Sequence, residues 1–245
     1  HGHPFRPYNP DLGGGRGFLF AQLREPGSGR LMDMGTKGSG QTPFSRAGDG
    51  RLTLKGGVRE VLATTRLEAL GVNTSKTFAL IETGEALYRG DEPSPTRSSV
   101  MTRLSHGHIR IGSFQRPYFL QEQDNLQALI AYACRTYAPA IYRAAYVDEG
   151  GAGAVMAAPL FLRWVGQNCA NTVADWFAAG FVHGVLNTDN INITGESFDY
   201  GPYRFLEQLD PNKVAAYFDH SGLYAFGRQP EAVFWNLQQL AGALV

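Results

Sequence analysis

Glycine cuts the first third of this chain into short pieces. Clusters at 13–15, 38–40 and 48–50 interrupt apolar runs such as GFLFAQL at 17–23 and LMDMGTKGSG at 31–40. Runs this short, bounded by tight-turn residues, restrict the region to short strands. A further run, FALIETGEALYR at 78–89, reads as a hairpin turning at Thr83 and Gly84. Between these pieces Val58, Val61, Leu62, Thr65 and Ala69 recur at helical spacing, which predicts one amphipathic helix over 57–70 ended by Gly71.

The rest of the chain changes period. Leu126, Leu129, Ile130, Ala133 and Tyr137 mark a helix stopped before Pro139. Phe161, Val165, Cys169, Thr172, Val173 and Trp176 mark a second, starting after Pro159 and capped by Gly180. Residues 230–243 predict a closing helix with Pro230 in its first turn, and 146–158 read as a flexible loop. Strands with one helix, then helices, predict an α+β protein of two lobes.

Composition narrows the partners. Lys and Arg number 22 against 22 Asp and Glu, so no global charge favours a nucleic acid or an anionic membrane. Any phosphate must be met by local clusters. Two cysteines, Cys134 and Cys169, exclude a disulfide framework and a four-cysteine zinc site, and both fall on apolar helical stripes as core thiols. No apolar run reaches membrane-span length, and the opening HGHPFRPYNP has neither a basic leader nor an apolar stretch. A cytoplasmic setting is expected, and the loop-rich opening suggests part of a longer protein.

Four clusters carry the chemistry. DLGGGRG at 11–17 lets backbone amides approach a ligand, with Arg16 adding charge; a plain surface turn fits it equally well. In GTKGSGQTPFSRAGDGR, Lys37 ends a strand and Asp49, Gly50 and Arg51 form a tight turn. Glu60 follows Lys37 by 23 residues on the predicted helix; a strand lysine held by a helix glutamate is how protein kinases place an amine against nucleotide phosphates. Two solvated charges are the alternative. The third cluster, HGVLNTDN at 183–190 followed by DYG at 199–201, keeps the histidine-to-asparagine offset of the kinase loop HRDxxxxN and the later metal-binding aspartate. Asn190 and Asp199 supply oxygen ligands suited to Mg²⁺. Val185 stands where the catalytic aspartate belongs, so Asp189 is the acid left for base work, with a turn role as its alternative. His183 reads as structural. The fourth cluster, MTRLSHGHIRIGSF at 101–114, offers Arg103 and Arg110 as planar donors to an anion, surface ion pairs being the alternative. His106 and His108, two apart on a strand, would share a face within this basic segment.

The blocks LGGGRG, TKGSGQTPFSRAGDGR, VREVLATTRLEALGV, TRLSHGHIRIGSF, HGVLNTDNINITGESFDYGPYRFLE and YAFGRQPEAVFWNLQQLA resemble the selenoprotein O family and its bacterial YdiU-type relatives over most of the chain. That resemblance implies a protein-kinase-like two-lobed fold, with a strand-rich N-terminal part and a helical C-terminal part. The whole of 1–245 would form one catalytic region, with lobes near 1–115 and 116–245 and flanking parts of the longer family members absent. It implies ATP bound in a flipped orientation and AMP transferred, with Mg²⁺ or Mn²⁺, to Ser, Thr or Tyr hydroxyls of acceptor proteins. Carried over by motif, Gly13, Gly15 and Arg16 would belong to the nucleotide loop, Lys37 would contact phosphates and pair with Glu60, and Asp49 and Gly50 would touch the nucleotide. Arg103 and Arg110 resemble the phosphate-pocket arginines, Asp189 the base, and Asn190 and Asp199 the metal ligands. The family's GHQFG and WAGQLGDGR are replaced here by GHPFRPYNPDLGGGR, with Gly14 in place of an acid, and nothing matches the family's redox-active C-terminal tail. Three activities stand at this point: adenylyl transfer, γ-phosphoryl transfer with Asp189 as a displaced base, and nucleotide binding without chemistry.

Overall fold

A computed structural model describes residues 6, 15, 17–45, 48–90, 92–148 and 150–244. Five antiparallel strands form the main sheet: β1 (Gly17–Arg24), β2 (Leu31–Lys37), β3 (Leu52–Thr53), β4 (Lys76–Leu87) and β5 (Thr96–Ser105). β5 is central. One edge pairs in turn with β2, from Asp33 opposite Ser105 to Lys37 opposite Met101, and with β3, Leu52 opposite Ser99; the other edge pairs with β4. The glycine-rich stretch 38–51 therefore leaves and rejoins the same line of strands.

Helix α1 (Leu54–Ala69) opens directly from β3, with the Thr53 hydroxyl accepting from the Gly56 amide at 3.1 Å as its N-cap. Gly57 lets it press onto the sheet, since a Cβ there would lie 2.5 Å from Leu80 Cδ1 and 2.9 Å from Ser99 Oγ. This close packing aims Glu60 inward.

Helices follow: α2 (Ile111–Phe119), α3 (Gln123–Tyr137), α4 (Pro139–Tyr146), α5 (Ala154–Ala178) and α6 (Gln229–Leu244), with a two-stranded ribbon of β6 (Phe181–Val182) and β7 (Arg204–Phe205) before α6. Their core gathers Phe114, Ile130, Phe161, Val165, Trp176, Phe181, Ile193 and Leu240, and takes in Ala63 and Leu67 from α1.

Several local expectations are corrected. Residues 78–89 are no hairpin: β4 pairs with β5 on both sides of Gly84, and the ladder slips between Glu82 and Ala86, so the glycine, at φ +79°, makes a bulge. Pro139 starts α4 as well as stopping α3, and α5 begins at Ala154, with Pro159 inside it. The segment expected to be flexible is largely tied down, the Gly153 amide donating to the Ala145 carbonyl at 2.9 Å. His106 and His108 lie beyond the end of β5, not on it.

Candidate active site

Alternation along β2 and β5 builds the site's floor. Asp33, Gly35 and Lys37 point inward on β2, opposite Ser105, Arg103 and Met101 on β5, and all six are buried. Lys37, at the inner end of β2, forms ion pairs with Glu60 of α1 and, at 2.9 Å, with Asp199 Oδ1. Arg103 Nη1 lies 4.0 Å from Glu60 Oε2 and 3.9 Å from Asp199 Oδ1.

Asp199 arrives on the stretch between β6 and β7. Backbone bonds from Ser75 to Ser197 and from Ser197 to Asn73 fasten that stretch to the turn after α1, as does the Thr74 hydroxyl bonded to the Tyr200 phenol. Asp199 itself sits at φ +64°, a conformation costly for a non-glycine residue. Burial pushes the Asp199 pKa up, but Lys37, Arg110 and Arg103 outweigh it and hold the carboxyl well below its usual range.

Asn190 and Arg110 are brought together by a second pairing. The run 107–112 lies antiparallel to 188–193: Ile111 donates to the Ile191 carbonyl, Gly112 to Thr188, Ile193 to Ile109, and the Asn192 side chain donates to the Gly107 carbonyl at 2.8 Å. Both Arg103 and Arg110 stack over the Phe198 ring, at 5.7 Å and 4.8 Å. Burial lowers the pKa of Arg110, with Asp199 opposing and Arg103 reinforcing the shift. Arg103 Nη1 and Arg110 Nε are buried without hydrogen-bond partners among the described residues. Three cations thus converge on two carboxylates with donor capacity to spare, as an anion site requires.

Lys37, Glu60, Asn190 and Asp199 line one cleft of about 850 Å³, open mouth included. Val185, in the place of the catalytic aspartate, lines it too, as do Thr53, Arg59, Arg89 and Glu92, which no motif had marked beyond the position of Arg59 beside Glu60. Arg59 is tied to the far wall, donating to the Tyr203 carbonyl at 3.1 Å. Asp189 is partly exposed in the turn before Asn190, its amide bonded to Asn187 Oδ1 at 3.0 Å, and its charge reaches Arg110. The Asn190 side chain donates from Nδ2 to the Val185 carbonyl at 2.9 Å.

The remaining expected residues lie at the rim or beyond it. Asp49 is exposed and accepts both guanidinium nitrogens of Arg89, at 2.8 Å and 3.0 Å. Gly50 is buried at φ +71°, where a Cβ would fall 2.1 Å from the Gly40 carbonyl oxygen, so it closes the 40–50 loop. The Gly15 carbonyl accepts the Ser45 hydroxyl. Gly13 and Arg16 lie outside the described residues. His183 is buried and donates from Nε2 to the Phe198 carbonyl at 2.9 Å; burial holds its pKa below the usual value, and it steadies Asp199 through Phe198. Burial pushes the thiols up, Cys134 to about 11 and Cys169 to about 12, which makes both core groups and not nucleophiles.

Fold and site together define a mixed α+β protein with a charged cleft in which Lys37 bridges two carboxylates, Arg103 lying within 4.0 Å of both though it does not line the cleft. The family model described as protein adenylyltransferase SelO matches residues 1–245, and the chain belongs to that family. Among similar proteins, the protein nucleotidyltransferase YdiU of Synechocystis sp. is 53% identical over 244 residues, covering 100% of this chain and 50% of its own length. That of Gloeobacter violaceus is 53% identical over 240 residues, 98% of this chain and 47% of its own, and that of Vibrio cholerae 38% identical over 246 residues, 99% and 47%. The chain spans about half the length of these relatives. No helix among the described residues is long and apolar enough to cross a membrane.

Proposed function

We propose that the cleft binds ATP and that the chain carries the catalytic region of a protein adenylyltransferase, moving AMP to Ser, Thr or Tyr hydroxyls of acceptor proteins and releasing pyrophosphate. The observation that carries this reading is the Lys37 bridge between Glu60 and Asp199, flanked by Arg103 and Arg110 with unspent donors. Sheet and helices would act as a protein-kinase-like pair of lobes, near 1–115 and 116–245, in a single catalytic region.

The donor set fits Mg²⁺ or Mn²⁺. Among the described residues no cluster of three or more His, Cys, Asp or Glu could cage a metal, whereas one carboxylate and one amide suit an ion that shares phosphate oxygens and waters. The Asn190 amide nitrogen is spent on Val185, so its Oδ1 is the atom that would serve the ion together with the Asp199 carboxylate. Once bound, such an ion neutralises phosphate charge in the transition state.

The protein's own groups do the rest. Lys37 binds phosphate oxygens and is kept in place by Glu60, and Arg103 and Arg110 hold the pyrophosphate end as negative charge develops on it. Asp189 takes the acceptor hydroxyl proton as the hydroxyl oxygen attacks the α-phosphorus and the bond to the bridging oxygen breaks. Gly13, Gly15, Arg16, Asp49 and Gly50 complete the nucleotide's surroundings. Incubation with an acceptor protein and ATP labelled at the α- or the γ-phosphate tests the reading, with Asp199→Ala as control. Retained α-label supports it; retained γ-label makes the chain a kinase, and ATP binding without either label makes it a scaffold.

A further inference from the structure

The face of the sheet that carries Lys37 and Arg103 also carries a histidine that the chemistry above does not use. Gly35 stands between Asp33 and Lys37 on the inward side of β2, and a Cβ there would lie 3.3 Å from Cε1 and Nε2 of His108. The missing side chain is what admits the imidazole, which sits over Gly35 across from Arg103. Its Nδ1 is 3.1 Å from Asp33 Oδ2, and Gln22 donates to the other oxygen, Asp33 Oδ1, at 2.7 Å. Asp33 is 4% exposed, and although burial would raise its pKa, these two hydrogen bonds keep it below the usual value. An ionised Asp33 accepts only, so Nδ1 of His108 carries the proton and Nε2 is the basic nitrogen. Its one partner among the described residues is the Ser105 hydroxyl at 3.3 Å, which can donate to Nε2 or accept from it.

Two other uses of this cluster fail. Ser105, His108 and Asp33 have the order of an acyl-transfer triad, but Ser105 is 1% exposed and no substrate carbonyl reaches it. His106, two residues earlier, turns away: its Nδ1 donates to the Leu31 carbonyl at 2.7 Å and its ring lies edge-on to Tyr137. His108 keeps 27% of its side chain exposed on the cationic face.

We propose that His108, oriented by Asp33, is a further ligand for the polyphosphate end of the nucleotide, taking up a solvent proton at Nε2 on binding and donating a charge-assisted hydrogen bond to a phosphate oxygen. This rests on the reading of the cleft as a nucleotide phosphate site. The charged groups acting on the ring are Asp33 from β2, Arg103 from β5 and Arg110 at the start of α2. Burial and the two arginines together hold the imidazole pKa below its usual value, against Asp33. A bound polyphosphate cancels the arginine charges and brings its own, which reverses the balance toward imidazolium. Affinity for the polyphosphate should therefore rise as pH falls through the interval between the free and bound pKa values of His108.

The test is calorimetric titration of the 245-residue chain with inorganic pyrophosphate at one pH in buffers of different ionisation heat, which counts the protons taken up; the ionisation of pyrophosphate itself is common to all variants. Wild type and His106→Gln are expected to take up more protons than His108→Gln, by up to about one per pyrophosphate. His108→Gln should bind about tenfold more weakly, the scale of one charge-assisted hydrogen bond. Asp33→Asn, which keeps the histidine, should reduce both proton uptake and affinity, and it decides the matter if His108→Gln does not fold. Unchanged affinity and proton count in His108→Gln, or in Asp33→Asn if that variant alone folds, overturns the role of His108. A wild-type chain that binds no pyrophosphate overturns the phosphate-site reading itself.

Discussion

Replacing Glu60 by Gln removes one of the two carboxylates that hold Lys37, at a place where little of either group meets water. The Lys37 and Glu60 side chains keep 7% and 5% of their exposure. Breaking such a buried pair from one side costs about 3–5 kcal/mol. Here Asp199 Oδ1 remains 2.9 Å from the lysine and retains part of the interaction, so the expected loss is about 2–3 kcal/mol. Lys37→Met leaves Glu60, among the described residues, with Arg103 alone at 4.0 Å and should cost a similar amount. In the double variant neither charge is left without its partner, so the combined loss should fall short of the sum by about 1–2 kcal/mol. Urea unfolding of the four proteins, with slopes compared to verify that the same surface is exposed, gives the cycle. Additivity within about 0.5 kcal/mol would refute the claim that these two groups support one another.

Two further outcomes are expected. Glu196 is 1% exposed and its carboxylate accepts from the His106 amide at 3.0 Å; burial pushes its pKa up to about 7, with that hydrogen bond, Arg30, Lys76 and Arg103 opposing. Because the unfolded chain releases this proton first, stability should fall as pH rises from about 4.5 to about 7, by at most about 3 kcal/mol, then level off. Glu196→Gln should remove that slope in unfolding curves taken across the interval, and an unchanged difference between the two proteins at pH 5 and pH 8 refutes the assignment. Gly50→Ala drives a methyl against the Gly40 carbonyl at a positive φ and should cost about 3 kcal/mol, lowering the melting temperature by about 6–12 °C; a shift under about 2 °C would show that the loop yields freely.

The parts legible in the sequence are those where local pattern and tertiary role agree. β1, β2 and α6 fall where the apolar runs put them, and α1 was legible from its spacing although it starts at Leu54, three residues before the expected bound. Lys37 and Glu60 were legible because a strand end and a helix face fixed both. β5 was not, although it is the central strand: its inward residues include Ser99, Arg103 and Ser105, so a buried strand looked like polar surface. α2 was hidden by its length of 9 residues and by Pro117 within it. The bulge at Gly84 imitated a turn because nothing local records that β5 continues alongside. His108 passed for one of a like pair, since Gly35 and Asp33, 73 and 75 residues away, are what distinguish it from His106.

The double pairing of residues 96–112 bears on how this site could be taken apart. β5 bonds to β2, β3 and β4, and a few residues later the same run of chain bonds to 188–193. Arg103 and Arg110, stacked on one ring, therefore stand on opposite sides of a joint with no slack in it. A cut there would leave each half with one guanidinium and half a pocket. The cleft is accordingly a poor candidate for transplantation as a motif: its smallest portable unit is the sheet, the helix that follows β3, the run 106–112 and the whole stretch from β6 to β7, moved together.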